Sequence, residues 1–397
     1  MPTGQFTTGF YQFHPDVSLN YEMNRFSDGT DESLDEIREV APRIHNYPDY
    51  IREFLALSKR AHSANRLLAA ALYLRAANFF MFPQDERKDP SRKNFIQWMK
   101  ECYRIPRSQQ FAIPYDNAMM NAYRLRPESP RGTVVFLPGF DGYAEELFPH
   151  AQYFFRNGFD AIIFDGPGQG TTLEEGHLTM TDEWHRPCKT VLDYFELTDV
   201  TLIGCSLGGC LALRAAARES RISRVVCDDI LTDFQEVLLQ QVDSLARHAL
   251  STLLELRASS VVNALIHQKM KRSLVLKWGI TQGMHVTGAN SPYQFFQSAR
   301  LLETISISHL VSQDVLLFGG SKDHFIPLYQ FYDQIQTLTN VRSLTARLFT
   351  EKEQAQNHMQ LGNTELSLRT IVEWIAGLAR RDEQVVLVSA AASPRIS

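Results

Sequence analysis

The sequence predicts an α/β fold: a mostly parallel sheet flanked by helices, interrupted by an all-helical insert and preceded by a helical domain. Three observations predict it. Short apolar runs of strand type, at 133–137, 160–164, 200–205 and 314–318, alternate with helical stretches. Between about Leu231 and Leu302 the strand signal is missing. Before Ser108 the apolar residues recur at helical spacing. The expected organisation is therefore a helical domain over 1–108, a core over 109–230 and 303–380, a helical cap over 231–302, and a loose tail over 381–397.

An aromatic-rich lead (Phe10, Tyr11, Phe13, Tyr21, Phe26) opens the chain. Ser33 can cap a helix through Ile37 and Val40, and a second helix starts at Pro48. A third, Ala64 to Phe82, is apolar nearly all round, which predicts burial. A fourth, Asn94 to Tyr103, carries Phe95, Trp98 and Met99 at helical spacing. Gln110 to Tyr115 and Ala118 to Leu125 read as a strand pair across an Asp116-Asn117 turn. The run Thr133 to Leu137 ends in Pro138-Gly139-Phe140-Asp141-Gly142, before a helix from Ala144 toward Phe155. The run Asp160 to Phe164 ends in Asp165-Gly166-Pro167-Gly168-Gln169-Gly170, a loop that cannot be helical. A helix from Glu183 to Glu196, the strand entering Ser206, an Ala/Leu-rich helix and the strand Ile222 to Cys227 follow. Such alternation predicts parallel strands joined by right-handed crossovers.

The insert holds two long helical stretches, Phe234 to Leu256 and Ser260 to Leu276, then Trp278, Met284, His285 and a helix opened by Ser291-Pro292. It is expected to cover the carboxyl ends of the strands, where open α/β sheets bind ligands. The sheet resumes at Asp314 to Phe318 and Ser343 to Phe349, with helices Leu328 to Leu338 and Glu365 to Leu378 beside it.

Composition excludes several classes. A net charge of −5 leaves no basic footprint, so neither nucleic acid nor an anionic membrane is an expected partner. The five cysteines show no metal-ligand spacing and no secreted framework, and no metal or cofactor is expected. The start lacks a signal-peptide pattern and no apolar stretch is long enough to span a bilayer, so the expected location is cytoplasmic. The apolar N-terminal helices are expected to pack on the chain's own core or on a second copy, giving a homodimer.

The chemistry centres on Gly204-Cys205-Ser206-Leu207-Gly208, where an apolar strand turns abruptly into a helix. A serine hydroxyl is a weak nucleophile unless held out toward a base. A sharp strand-to-helix turn does this, and flanking glycines remove the Cβ atoms that would clash. The base needs an orienting carboxylate. Asp323 lies in the loop after the strand ending at Phe318, and His358 follows the last strand. His324, beside that carboxylate, reads as a loop histidine lining the site. The oxyanion donors are expected to be the backbone N–H groups of Leu207 and Phe140, with Gly139 allowing close approach. Asp228, Asp229, Asp233 and Glu236 follow the strand Ile222 to Cys227 and could supply an extra acid, although acids there ordinarily cap a helix or face water. Asp141, Asp229, Trp278, His285 and Tyr293 are candidates for a substrate pocket.

The order Ser206, Asp323, His358 resembles that of the α/β-hydrolase superfamily. Phe164 to Gly170, Trp278 with Gly283-Met284-His285, Ser291-Pro292-Tyr293 and Ala355-Gln356-Asn357-His358 are similar to one branch, over most of residues 9–379. That branch places a helical domain ahead of the core. It includes 2,6-dihydroxypseudooxynicotine hydrolase, fungal polyketide-shortening hydrolases and acyl-aminopeptidase-like proteins. One departure concerns the oxyanion loop, which in the branch usually begins Gly-Gly and here is Pro138-Gly139. The resemblance implies a serine hydrolase of secondary metabolism that acts through an acyl-enzyme on a medium-sized small molecule, a ketone, ester or polyketide, with carbon–carbon cleavage as one candidate reaction. Acyl transfer or cyclisation on the same triad, carboxylesterase or acyl-peptidase activity, and ligand binding without catalysis are the alternatives.

Overall fold

The structure is a computed structural model that describes residues 6–242 and 244–392. Five helices lead: α1 (Val17–Arg25), α2 (Asp31–Val40), α3 (Tyr47–Ser63), α4 (Leu67–Phe80) and α5 (Lys88–Cys102). The aromatic lead thus contains a helix of its own, started by Asp16, whose side chain accepts from Leu19 N–H. Ser33 does not cap α2. Thr30 does, accepting from Ser33 N–H, while Ser33 is fully buried and bonds Tyr73.

Eight strands form one sheet: β1 (Gln110–Tyr115), β2 (Ala118–Leu125), β3 (Thr133–Leu137), β4 (Asp160–Phe164), β5 (Val200–Cys205), β6 (Ile222–Asp228), β7 (Asp314–Gly320) and β8 (Ser343–Phe349). Their spatial order is β1-β2-β4-β3-β5-β6-β7-β8, and only the β1–β2 and β2–β4 pairings are antiparallel.

The central strands are buried on both sides, so their alternate side chains feed two cores. Val135, Ile162, Leu202, Val225 and Val315 are register partners across neighbouring strands and belong to one core. Phe136, Ile163, Ile203, Val226 and Leu316 form the next row and belong to the other. Helices α6 (Phe148–Arg156), α5 and the final helix pack on the second face. The first face takes α8 (His185–Tyr194) and α9 (Leu207–Ala216), with the short α7 (Gly170–Glu174) following the glycine loop.

Between β6 and β7 lie α10 (Phe234–Gln240), α11 (Ser244–Glu255), α12 (Ser259–Met270), α13 (Leu274–Thr287) and α14 (Pro292–Leu301). The stretch expected as one helix from Phe234 to Leu256 is two, and the next ends at Met270, where Ser273 caps α13 through Leu276 N–H. Then α15 (Leu328–Thr337) and α16 (Thr364–Ala392) complete the order.

The tail expected to be loose over 381–397 is helical as far as Ala392; residues 393–397 lie outside the described residues. No glycine or proline interrupts 378–392, and Arg381 donates twice to Asp314 while Arg342 pairs with Asp382. Among the described residues no helix is long and apolar enough to cross a membrane.

Trp184 is fully buried, and its ring fills the space against Gly166 where a side chain would otherwise sit. Trp184→Ala is expected to destabilise the fold by about 3–5 kcal/mol, read as a lowered midpoint in urea denaturation.

Candidate active site

Ser206 stands between β5 and α9 at φ 58°, ψ −123°. A non-glycine residue in that region costs about 1–3 kcal/mol, so the surroundings must impose it. They do so by close approach. A Cβ on Gly204 would overlap the Gly208 carbonyl, and one on Gly208 would lie 2.6 Å from the Leu137 oxygen. Ser206 N–H donates to the Asp228 carbonyl at 2.6 Å, tying the turn to the neighbouring strand.

His358 Nε2 lies 2.9 Å from Ser206 Oγ, and His358 Nδ1 lies 2.7 Å from Asp323 Oδ2. The other oxygen, Asp323 Oδ1, accepts from Phe325 and Ile326 N–H at 2.8 and 3.0 Å, which fixes the carboxylate. All three side chains come from loops at the carboxyl ends of β5, β7 and β8, neighbours or near neighbours in one sheet.

Charge decides the protonation of the cluster. Burial alone lowers His358, but the charge and hydrogen bond of Asp323 raise the imidazole to about 9. Burial alone raises Asp323, yet His358 and the two loop N–H groups hold its carboxyl below the usual range. His324 does not compete for Asp323. It packs on Phe325 and Tyr21, and burial followed by the charge of His358 lowers it to about 4.

Leu207 and Phe140 line the same cavity as Ser206 and His358, and among the described residues neither N–H is engaged elsewhere. The loop carrying Phe140 is held from two sides. Gln169 Nε2 donates to the carbonyls of Pro138 (2.6 Å) and Gly139 (3.1 Å), and Gln169 Oε1 accepts from Gly166 N–H. From α4, Arg75 donates to the Asp141 carbonyl at 2.7 Å and to Glu146 at 2.8 Å. Tyr21 of α1 donates to the His358 carbonyl at 3.2 Å. Sequence reasoning missed Tyr21, Arg75 and Gln169 as site residues. Asp16 before the Val17–Tyr21 stretch was the available sign that Tyr21 sits on a helix.

The cavity above Ser206 encloses about 1100 Å³, beyond the common range of roughly 300–1,000 Å³ for small-molecule sites. Phe140, Phe234, Phe295 and Trp278 contribute apolar walls, while Glu22 and Arg25 of α1 bring charge to one part. Of the pocket candidates, Asp141 and Trp278 line it, and Trp278 also stacks on Phe79 and donates to its carbonyl at 2.9 Å. Asp229, His285 and Tyr293 do not line it. Asp229 points behind His358 (Oδ2 to Nδ1, 3.5 Å), His285 pairs with Glu174 at 3.1 Å, and Tyr293 N–H donates to Asn263. The sequence pattern marked the helix opened by Ser291-Pro292 but not α13, and it did not show which way either helix is rolled.

A family model described as the α/β hydrolase fold matches residues 132–359. The hydrolyase poxO of Penicillium oxalicum is 28% identical over 263 residues, 59% of this chain and 62% of that protein. The 20-hydroxy-prefusarin hydrolase FUS2 of Gibberella moniliformis is 29% identical over 205 residues, 46% of this chain and 49% of that protein. The matched segment thus spans less than two thirds of either relative. A crystal structure of 2,6-dihydroxy-pseudo-oxynicotine hydrolase superposes with a TM-score of 0.61 at 18% identity, covering 89% of this chain and 94% of the other. That likeness establishes a shared fold.

Gln169→Leu would leave the buried Pro138 carbonyl and the half-buried Gly139 carbonyl without their donor. A loss of about 1–3 kcal/mol is expected, measured as a lower thermal midpoint.

Proposed function

The chain belongs to the α/β-hydrolase family, and from that premise we propose that it is a serine hydrolase working through an acyl-enzyme on a medium-sized ketone, ester or polyketide-like molecule. The observation that carries the reading is the relay from Ser206 Oγ to His358 Nε2 (2.9 Å) and from His358 Nδ1 to Asp323 Oδ2 (2.7 Å), at the wall of an apolar cavity. The relative named for 20-hydroxy-prefusarin supports a small organic substrate.

In this reading His358 takes the proton of Ser206 as Oγ attacks the substrate carbonyl. Leu207 and Phe140 N–H groups meet the oxyanion. The tetrahedral species collapses, and His358 returns the proton to the leaving group. That group is an alcohol from an ester, or an enolate carbon when the bond cleaved joins a carbonyl to the α-carbon of a second ketone. Water, deprotonated by His358, then releases the acid and regenerates Ser206. Helices α10–α14 act as the cap, and α1 and α4 complete the cavity and brace the oxyanion loop. The larger apolar share of the wall favours substrates held by shape and apolar contact.

A fluorophosphonate should label the wild type, and Ser206→Ala should lose labelling altogether; undiminished labelling of the variant removes Ser206 from the chemistry. Hydrolysis of aryl esters and of β-diketones, followed by product analysis, distinguishes ester from carbon–carbon cleavage. The pH dependence has a definite sign. Only neutral His358 accepts a proton, and its affinity for protons is raised, so the rate falls as pH drops. The acid limb of the labelling rate is expected above the ordinary imidazole value of about 6.5.

A further inference from the structure

We propose that Asp229 is a reserve orienting carboxylate for His358, a positioning residue that supports the imidazole beside Asp323 and takes over its Nδ1–H when Asp323 is removed. The inference rests on the triad reading above and deepens it.

The topology puts Asp229 in position. Strand β6 lies between β5, which ends at the nucleophile, and β7, which leads to Asp323. The residue following β6 therefore reaches the imidazole from between its two partners. Asp229 Oδ2 is 3.5 Å from His358 Nδ1, against 2.7 Å for Asp323 Oδ2. Ligating atoms of all three side chains lie within 4.8 Å of one another.

Asp229 also grips the histidine loop. Its Oδ2 accepts from Met359 N–H at 2.8 Å, and its Oδ1 accepts from Gln360 Nε2 at 2.5 Å. Met359 and Gln360 both have positive φ, 55° and 48°, a conformation that needs outside support. Asp229 supplies it directly behind the imidazole.

Two adjacent buried carboxylates resist ionising together. Here they divide the work. Asp323 is ionised toward the imidazole, while burial and then the charge of Asp323 raise Asp229 well above the usual carboxylate range. Burial remains when the Asp323 charge is removed, but the like-charge opposition goes, and the His358 charge, which lowers Asp229, still faces it across 3.5 Å; Asp229 then ionises and the imidazole keeps a carboxylate. The other titratable groups around the pair are Asp228 on β6, Cys205 on β5, His324 beside Asp323, and Tyr21 and Arg25 on α1. Asp228 differs from Asp229 in making no side-chain bond to the histidine loop, and its Oδ1 has no partner among the described residues.

The test follows the rate of Ser206 labelling by a fluorophosphonate, against pH, in the full chain. The variants are Asp323→Asn, Asp229→Asn and the double. Asp323→Asn is expected to slow labelling by about 10- to 100-fold, whereas the double approaches the ~10⁴-fold loss of a triad without its carboxylate, more than the product of the single losses. In Asp323→Asn the acid limb should stay above about pH 6.5, since a carboxylate still faces the imidazole. A ~10⁴-fold loss in Asp323→Asn alone, a limb below about 6.5, or a double equal to the product of the singles would overturn the proposal. Should Asp229→Asn fail to fold, the residual rate and limb of Asp323→Asn decide the matter without it. Labelling of Ser206→Ala at the wild-type rate would instead refute the triad reading itself.

Discussion

Everything in the site depends on a single close approach, that of the Gly204 and Gly208 backbones at the turn bearing Ser206. Neither position has room for a Cβ, and the serine between them is held at φ 58°. The turn brings its hydroxyl to the carboxyl edge of the sheet, at the N-terminus of α9. It also fixes what surrounds it. Gly139 lies so near that a Cβ there would come within 3.2 Å of the Ser206 Cβ. The loop bearing Phe140 must therefore pass over Ser206, and Gln169 and Arg75 hold it there. Because Arg75 comes from α4, the N-terminal helices are part of the site's frame and not an appendage.

A second balance governs the imidazole. Burial opposes a charged His358, but the neighbouring carboxylate outweighs it. Lifting the group from its ordinary value to about 9 corresponds to roughly 3 kcal/mol in favour of the protonated ring. In the proposed mechanism the same field would favour the imidazolium formed when a proton moves from serine to histidine. It opposes a second ionised carboxylate nearby, so Asp323 and Asp229 are driven in opposite directions by one environment.

The cavity is built from three separate parts of the chain. The sheet contributes Ser206 and His358 through its loops, α10 and α14 contribute Phe234 and Phe295, and α1 contributes Tyr21, Glu22 and Arg25. Trp278 on α13 joins the insert to the N-terminal region by stacking on Phe79 at 4.8 Å. Movement of the insert would therefore change contacts with the N-terminal helices as well as with the core.

The strands were legible in the amino-acid order, because short apolar runs that stop at turn residues are local signals; β1 to β5 and β8 begin and end where such runs do. It also singled out Ser206, Asp323 and His358, since each lies in the connection that follows a strand. It did not reveal that α1 exists, that α16 continues to Ala392 through Arg381 and Asp314, or that Asp229 turns toward His358 while His285 turns toward Glu174. Those outcomes depend on partners distant along the chain: Tyr21 and the His358 carbonyl are 337 residues apart, and Arg75 and the Asp141 carbonyl 66. Periodicity reports which side of an element is apolar. Only packing in three dimensions decides which polar group each remaining side chain meets, and with it the charge that each acid in the site carries.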